Sequence, residues 1–267
     1  MAVIRLRDAC MIFYPGTADE AVALKPCNLQ IENGDFTTII GTNGAGKSTL
    51  FNAISGHFPL SSGQIFFGER DISRMKEHRR AKLIGRIFQN PAMGTAAGMS
   101  LEHNLIIAGS KDMRGLNISL NAAKRQKFRE HLRHLDMHLE ERLKDNVGLF
   151  SGGQRQAITL LMMVLSAPEL ILLDEHTAAL DPANAAKVME LTRYFVEEYK
   201  LTAMMITHDM SQAIDYGNRL LMMDRGEIIL DIRGEEKQAL RPQDLVDKFR
   251  ELRGTQRNLG DQTMLTV

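Results

Sequence analysis

The chain has 267 residues, enough for one large or two small domains with a sizeable core. Lys+Arg and Asp+Glu balance at 33 each, so no global field points to nucleic acid, and the apolar and charged fractions are ordinary for a soluble globular protein. The longest apolar run, residues 157–166, is too short to span a bilayer, and residues 1–5 are no secretory leader.

Residues 1 to about 35 read as strands. Val3-Ile4-Arg5-Leu6 alternates, and Leu29-Gln30-Ile31 precedes the turn Glu32-Asn33-Gly34-Asp35. The two cysteines, Cys10 and Cys27, fit a reducing compartment; simple burial is the plainer reading and a disulfide the other. Tyr14 lies in the loop between the strands, either as an aromatic face for a purine or as a half-buried turn residue.

Residues 36–40 read as a short buried strand and residues 48–54 as a helix. Between them Gly41-Thr42-Asn43-Gly44-Ala45-Gly46-Lys47-Ser48-Thr49 fits G-x-x-x-x-G-K-[ST]. Strand, loop and helix are the setting this motif needs, because backbone N–H groups must converge on an anion at a helix N-terminus. Lys47 would reach the β- and γ-phosphates, and the Ser48 hydroxyl would sit on Mg²⁺.

A turn and a strand follow over residues 59–68, then a charged, surface-type helix over residues 75–83. Residues 84–88 read as a buried strand ending at Gln89. A polar amide there lies on the ligand side of an α/β sheet, touching Mg²⁺ or the attacking water, unless it is a solvated turn. The pattern then turns helical. A loop over residues 91–100 leads to a helix over 101–107 and a polar, irregular stretch over 111–121. A long helical segment spans 121–143, with Phe128, Leu132, Leu135 and Leu139 spaced by three or four. This predicts an inserted helical subdomain. Lys124, Arg125, Lys127, Arg129 and Arg133 read as a solvated face, without the aromatic interleaving of a nucleic-acid patch.

Ser151 is a natural N-cap for an apolar helix running to residue 165. Ser151-Gly152-Gly153 exposes several N–H donors, a second anion site. Both sites could serve one nucleotide, or each could face a nucleotide shared with a second chain. Residues 170–173 read as a central parallel strand delivering Asp174 to a metal and Glu175 to the attacking water. A loop and a helix over 183–199 follow, then a third buried strand ending at His208, which could donate to a γ-phosphate. Residues 219–223 and 227–232 form a hairpin around Asp224-Arg225-Gly226, and the tail from residue 238 is amphipathic, then polar after 254 and expected to fray. Sixteen Met and no Trp read as adaptable core.

Taken together, these pieces resemble the ATP-binding subunit of ABC transporters over nearly the whole chain. Tyr14 falls where that family stacks the adenine, Gln89 is its Q-loop glutamine, and Phe150-Ser151-Gly152-Gly153-Gln154 matches its LSGGQ signature with Phe leading. Asp174 and Glu175 match the Walker B aspartate and catalytic glutamate, Ala179-Leu180-Asp181 the D-loop, and His208 the switch histidine. His176 stands where Pro usually follows the glutamate, a change that alters loop stiffness rather than chemistry.

The resemblance implies an α/β fold. A P-loop NTPase (RecA-like) core with an antiparallel β subdomain would cover about 1–91 and 155–240, a helical subdomain about 92–154, and a tail about 241–267. It implies an ATPase using ATP and Mg²⁺. Lys47, Gln89, Glu175 and His208 would be catalytic. Tyr14, Gly41, Asn43, Gly44, Ala45, Gly46, Lys47, Ser48, Thr49, Ser151, Gly152, Gly153, Gln154 and Asp181 would contact nucleotide, and Ser48, Gln89 and Asp174 the metal. Partners would be a second copy of the chain in a head-to-tail dimer, membrane permease subunits and an extracytoplasmic solute-binding protein, at the cytoplasmic face of the membrane, with no nucleic acid. Residues 94–97, 174–181 and 215–219 are similar to a bacterial subgroup serving amino-acid importers, often of tryptophan or tyrosine. The alternatives are a soluble ABC-type ATPase on ribosomes or nucleic acid, and a non-hydrolysing regulatory cassette. A single cassette and the short span from Lys47 to Ser151 speak against the first, and intact Lys47, Glu175 and His208 against the second.

Overall fold

The protein is described by a computed structural model covering residues 2–109 and 121–254. In chain order the elements are β1 (Ala2–Phe13), β2 (Ala21–Glu32), β3 (Phe36–Gly41), α1 (Lys47–Ser55), β4 (Ser62–Phe67), β5 (Arg70–Asp71), α2 (Glu77–Arg80) and β6 (Ile84–Ile87). Then come α3 (Leu101–Gly109), α4 (Ala122–Arg133), a 3₁₀ turn (Val147–Leu149), α5 (Gly152–Ser166), β7 (Leu170–Asp174) and α6 (Pro182–Glu198). The chain closes with β8 (Thr202–Ile206), α7 (Met210–Asp215), β9 (Arg219–Asp224), β10 (Glu227–Arg233), α8 (Gly234–Gln238) and α9 (Pro242–Gly254). The chain divides into two compact units, one of residues 1–84 and 201–267, the other of residues 85–200. The expected boundaries of the helical subdomain, after residues 91 and 154, both fall inside the second unit.

The first unit holds two sheets. One has the order β2-β1-β4-β5. Its register sets Ile4 opposite Ile31, and Leu6 opposite both Leu29 and Ile65; all five side chains are buried. Period-two alternation puts these residues on one face, and arginines 5 and 7 on the other flank the Phe66 ring at 5.1 Å each. Cys10 and Cys27 are buried free thiols, as simple burial predicts. The other sheet runs β10-β9-β3-β8. Strand β3 pairs parallel with both β8 and β9, and its first five residues are buried, two threonines among them, which is why its sequence shows no alternation of buried and exposed residues. The buried Thr38 hydroxyl donates to the Ala213 carbonyl at 2.7 Å, tying β3 to α7. Several of the methionines, Met204, Met205, Met222 and Met223, fill β8 and β9 and are buried. The hairpin of β9 and β10 forms where expected.

In the second unit β6 and β7 are neighbours, and α3, α5 and α6 pack together. The helical segment expected to reach residue 143 ends at Arg133. Asp136 and His138 take φ of 52° and 54°, angles that no α-helix continues through. Leu135, Leu139 and Leu143 are nonetheless buried, so the apolar spacing marked core and not helix. Arg125 pairs with Glu102 at 2.8 Å rather than standing solvated. Residues 111–120 of the expected irregular stretch, and the polar tail after 254, lie outside the described residues.

The helix expected over 75–83 also shortens, to α2; Glu77, His78 and Arg79 are exposed, as a charged surface helix predicts, but its last residue turns inward. Arg80 is 2% exposed. Its Nη1 donates to the carbonyls of Ala53 and Ile54 at 2.8 Å each, its Nε to Met75 at 2.9 Å and its Nη2 to Ser73 at 3.0 Å. The first two carbonyls belong to the last turn of α1, where a cation also suits the helix dipole. Gly56, at φ 80°, lets the guanidinium lie against the backbone; a Cβ there would sit 2.7 Å from Arg80 Nε. Arg80→Met should therefore lower stability by about 3 kcal/mol, because it strands buried carbonyls, and Arg80→Lys should restore less than half of that. Urea unfolding midpoints of the two variants against the parent measure it.

Candidate nucleotide site

The first unit carries the glycine-rich turn. β3 ends at Gly41 and α1 begins at Lys47, with Gly46 as N-cap at φ 98°. The N-cap is a glycine, so no N-cap side chain bonds the first N–H groups of this helix. A Cβ on Gly46 would lie 2.6 Å from the Ala23 carbonyl oxygen, and the angle itself disfavours any side chain. Lys47 is 5% exposed and folds over the turn, donating to the carbonyls of Gly41 at 2.7 Å and Thr42 at 3.1 Å. Asn43, Gly44 and Ser48 are exposed, Thr49 half-buried, and Ala45 buried. Tyr14 follows β1 in a left-handed conformation, φ 52°, and is 68% exposed. His208 is exposed on the loop after β8, where the Asp209 N–H donates to Thr207 Oγ1 at 3.1 Å and Asp209 Oδ1 caps α7 through the Gln212 N–H.

The second unit carries the carboxylates and the second glycine-rich turn. β7 delivers Asp174, whose Oδ2 accepts from Arg86 Nη2 at 2.6 Å. Glu175 follows at φ 47°, a left-handed angle that costs a non-glycine residue about 1–2 kcal/mol. Gln89 is exposed just beyond β6, and Gln156 Nε2 holds the preceding Phe88 carbonyl at 3.2 Å.

Ser151 caps α5 as expected: its Oγ accepts from the Gln154 N–H at 3.2 Å while Gln154 Oε1 accepts from the Ser151 N–H at 3.1 Å, a capping box. Gly153 is set by packing, since a Cβ would lie 2.5 Å from the Asn184 side chain. Asn184 in turn binds Asp181, the N-cap of α6, through its N–H at 3.1 Å and its Nδ2 at 2.6 Å. These hydrogen bonds from Asn184 hold the Asp181 carboxyl below the usual carboxylate range. One asparagine thus places the starts of α5 and α6 side by side. Phe150 leads the turn from a buried position, its ring 4.2 Å from the Arg142 guanidinium.

The family model described as "ABC transporter" matches residues 24–178. The chain belongs to the ABC transporter family of ATP-binding proteins. This ABC ATPase is 41% identical over 83% of its length to a tyrosine transport ATP-binding protein of Clostridioides difficile (strain R20291), covering 88% of that protein. It is 30% identical over 88% of its length to the phosphonates import ATP-binding protein PhnC of Lactobacillus acidophilus (strain ATCC 700396 / NCK56 / N2 / NCFM), covering 90% of it. Among solved structures it resembles the dimeric post-hydrolysis state of the ATP-binding cassette MJ0796 bound to ADP and Pi, with a TM-score of 0.73 at 25% identity, over 86% of this chain and 98% of that one. The ABC ATPase is an enzyme that hydrolyses ATP to power transport, and its fold is the P-loop ATPase fold with mixed α/β sheets. No helix among the described residues is long and apolar enough to cross a membrane.

Two residues of this ABC ATPase escaped the sequence reading. Arg86 was hidden in an apolar strand, where its charge was the available signal. His176, read only as a departure from Pro, is 1% exposed and sits between Glu175 and α6. Thr192 Oγ1 donates to the Val188 carbonyl at 2.8 Å, so it accepts from His176 Nε2–H at 3.0 Å, which assigns the neutral ring's tautomer.

Burial pushes the His176 imidazole down from 6.5 to about 4. Folding therefore favours the neutral ring. Its contribution is complete above pH 6.5 and is lost as pH falls towards 4, by about 3 kcal/mol in all. A His176→Leu variant should show a shallower loss of unfolding free energy over that window than the parent; equal slopes in urea titrations at stepped pH would refute the assignment.

Proposed function

We propose that this ABC ATPase energises a bacterial importer of a small solute, an amino acid such as tyrosine, from the cytoplasmic face of the membrane. The observation that carries the reading is the 41% identity to a tyrosine transport ATP-binding protein across most of both chains. The match to residues 94–97, 174–181 and 215–219 of the amino-acid importer subgroup points the same way. The partners are membrane permease subunits and an extracytoplasmic solute-binding protein. Both named relatives are transport components, which supports this reading over a soluble ATPase on ribosomes or nucleic acid.

Roles follow from the chemistry of each group. The amides from Gly41 to Thr49 and the Lys47 ammonium hold the phosphates, and Tyr14 offers its ring to the adenine. Ser48, Asp174 and Gln89 offer a hydroxyl, a carboxylate and an amide, an all-oxygen donor set of the kind a hard divalent cation takes. Mg²⁺ bound there would supply neutralisation of the phosphate charge. Glu175 orients the attacking water and accepts its proton, and His208 donates to the γ-phosphate. Ser151, Gly152, Gly153 and Gln154, with Asp181, face the nucleotide of a second copy in a head-to-tail dimer. ATP then binds the closed dimer better than the open one, and hydrolysis removes that difference.

Glu175→Gln removes the proton acceptor and keeps the shape. It should slow phosphate release by roughly a hundredfold or more, leave ATP affinity within a few-fold, and raise the dimer fraction on a sizing column run with ATP. Turnover near the parent rate would remove Glu175 from that role. Solubilised membranes should also yield the permease with the tagged chain; its absence would sink the importer reading.

A further inference from the structure

Arg86 stands in β6 between the buried residues Gly85 and Ile87, where an apolar residue would cost nothing to bury. Its side chain is 13% exposed and that of Asp174 14%, so the pair is largely shielded from water. The guanidinium makes two contacts. The guanidinium lies 4.8 Å from the Phe88 ring centroid, and Nη2 donates to Asp174 Oδ2 at 2.6 Å. Phe88 is itself anchored by Gln156 at its carbonyl and is the residue before Gln89. A single arginine therefore links the strand that ends in Asp174 to the strand that leads to Gln89.

We propose that Arg86 is a positioning residue for Asp174. The charged hydrogen bond commits Oδ2, fixes the carboxylate plane, and leaves Oδ1 to serve the cation. This rests on the reading of Asp174 as a metal-site residue. A partly buried, charge-assisted bond restricts rotation far more than an exposed one. The planar guanidinium suits the task because it stacks on Phe88 with one face and donates from its edge; an ammonium cannot do both.

The test uses the full chain with Mn²⁺ as the probe, followed by electron paramagnetic resonance in the presence of a non-hydrolysable ATP analogue. Nucleotide affinity in EDTA and the thermal midpoint are measured alongside. Arg86→Met should weaken Mn²⁺ binding by about tenfold or more while metal-free nucleotide affinity stays within about twofold, and Arg86→Lys should recover part of the loss. The lysine variant keeps the pair charged and carries the test if the methionine variant does not fold. Unchanged Mn²⁺ affinity in the folded variants would overturn the proposal. So would tighter binding, which would make Arg86 a competitor of the cation. Asp174→Asn separates the two levels. If it too leaves Mn²⁺ affinity unchanged, the metal reading of Asp174 fails first and takes the positioning role with it.

Discussion

Main-chain amides can hold a phosphate only where the backbone comes closer than side chains allow. That constraint governs the turn between β3 and α1. Gly46 caps the helix at an angle hostile to side chains, against a neighbouring carbonyl that leaves no room for a Cβ. No N-cap side chain bonds the first donors of the helix. The elements on either side are braced: β3 is buried between β8 and β9, and Arg80 closes the far end of α1. The turn is a glycine link between two braced elements.

The second unit solves a related problem with side chains. Its glycine-rich turn is also an N-terminus, but here Ser151 and Gln154 satisfy two donors reciprocally. The glycine at position 153 answers to Asn184, and Asn184 answers to Asp181, so the signature turn and the turn before α6 share one set of contacts.

Buried charge is placed with care in this protein. Arg80 and Lys237 are both about fully buried, and both point at carbonyls that end helices, Lys237 at those of Ile214, Tyr216 and Gly217 beyond α7. Burial pushes the Lys237 ammonium down to about 8. His176 is buried neutral instead, because burial disfavours the charged ring, and the Thr192 hydroxyl meets its one N–H. Each group takes the protonation state for which partners exist.

The P-loop, the Ser151 cap, the acidic pair after β7 and the β9–β10 hairpin were legible in residue order, because each depends on spacing within one short segment. The helix lengths after α4 and around Arg80 were not, since left-handed turns at Asp136 and His138 and the burial of one arginine are decided by neighbours distant in sequence. The same holds for the sites. Sequence alone singled out the residues proposed for nucleotide chemistry, because backbone amides, lysine and carboxylates act through local geometry. Only the tertiary structure decided what these segments meet: Arg86 with Asp174, His176 with Thr192 and Gly153 against Asn184. Those contacts join separate segments, and no local pattern encodes a partner that packing alone brings near.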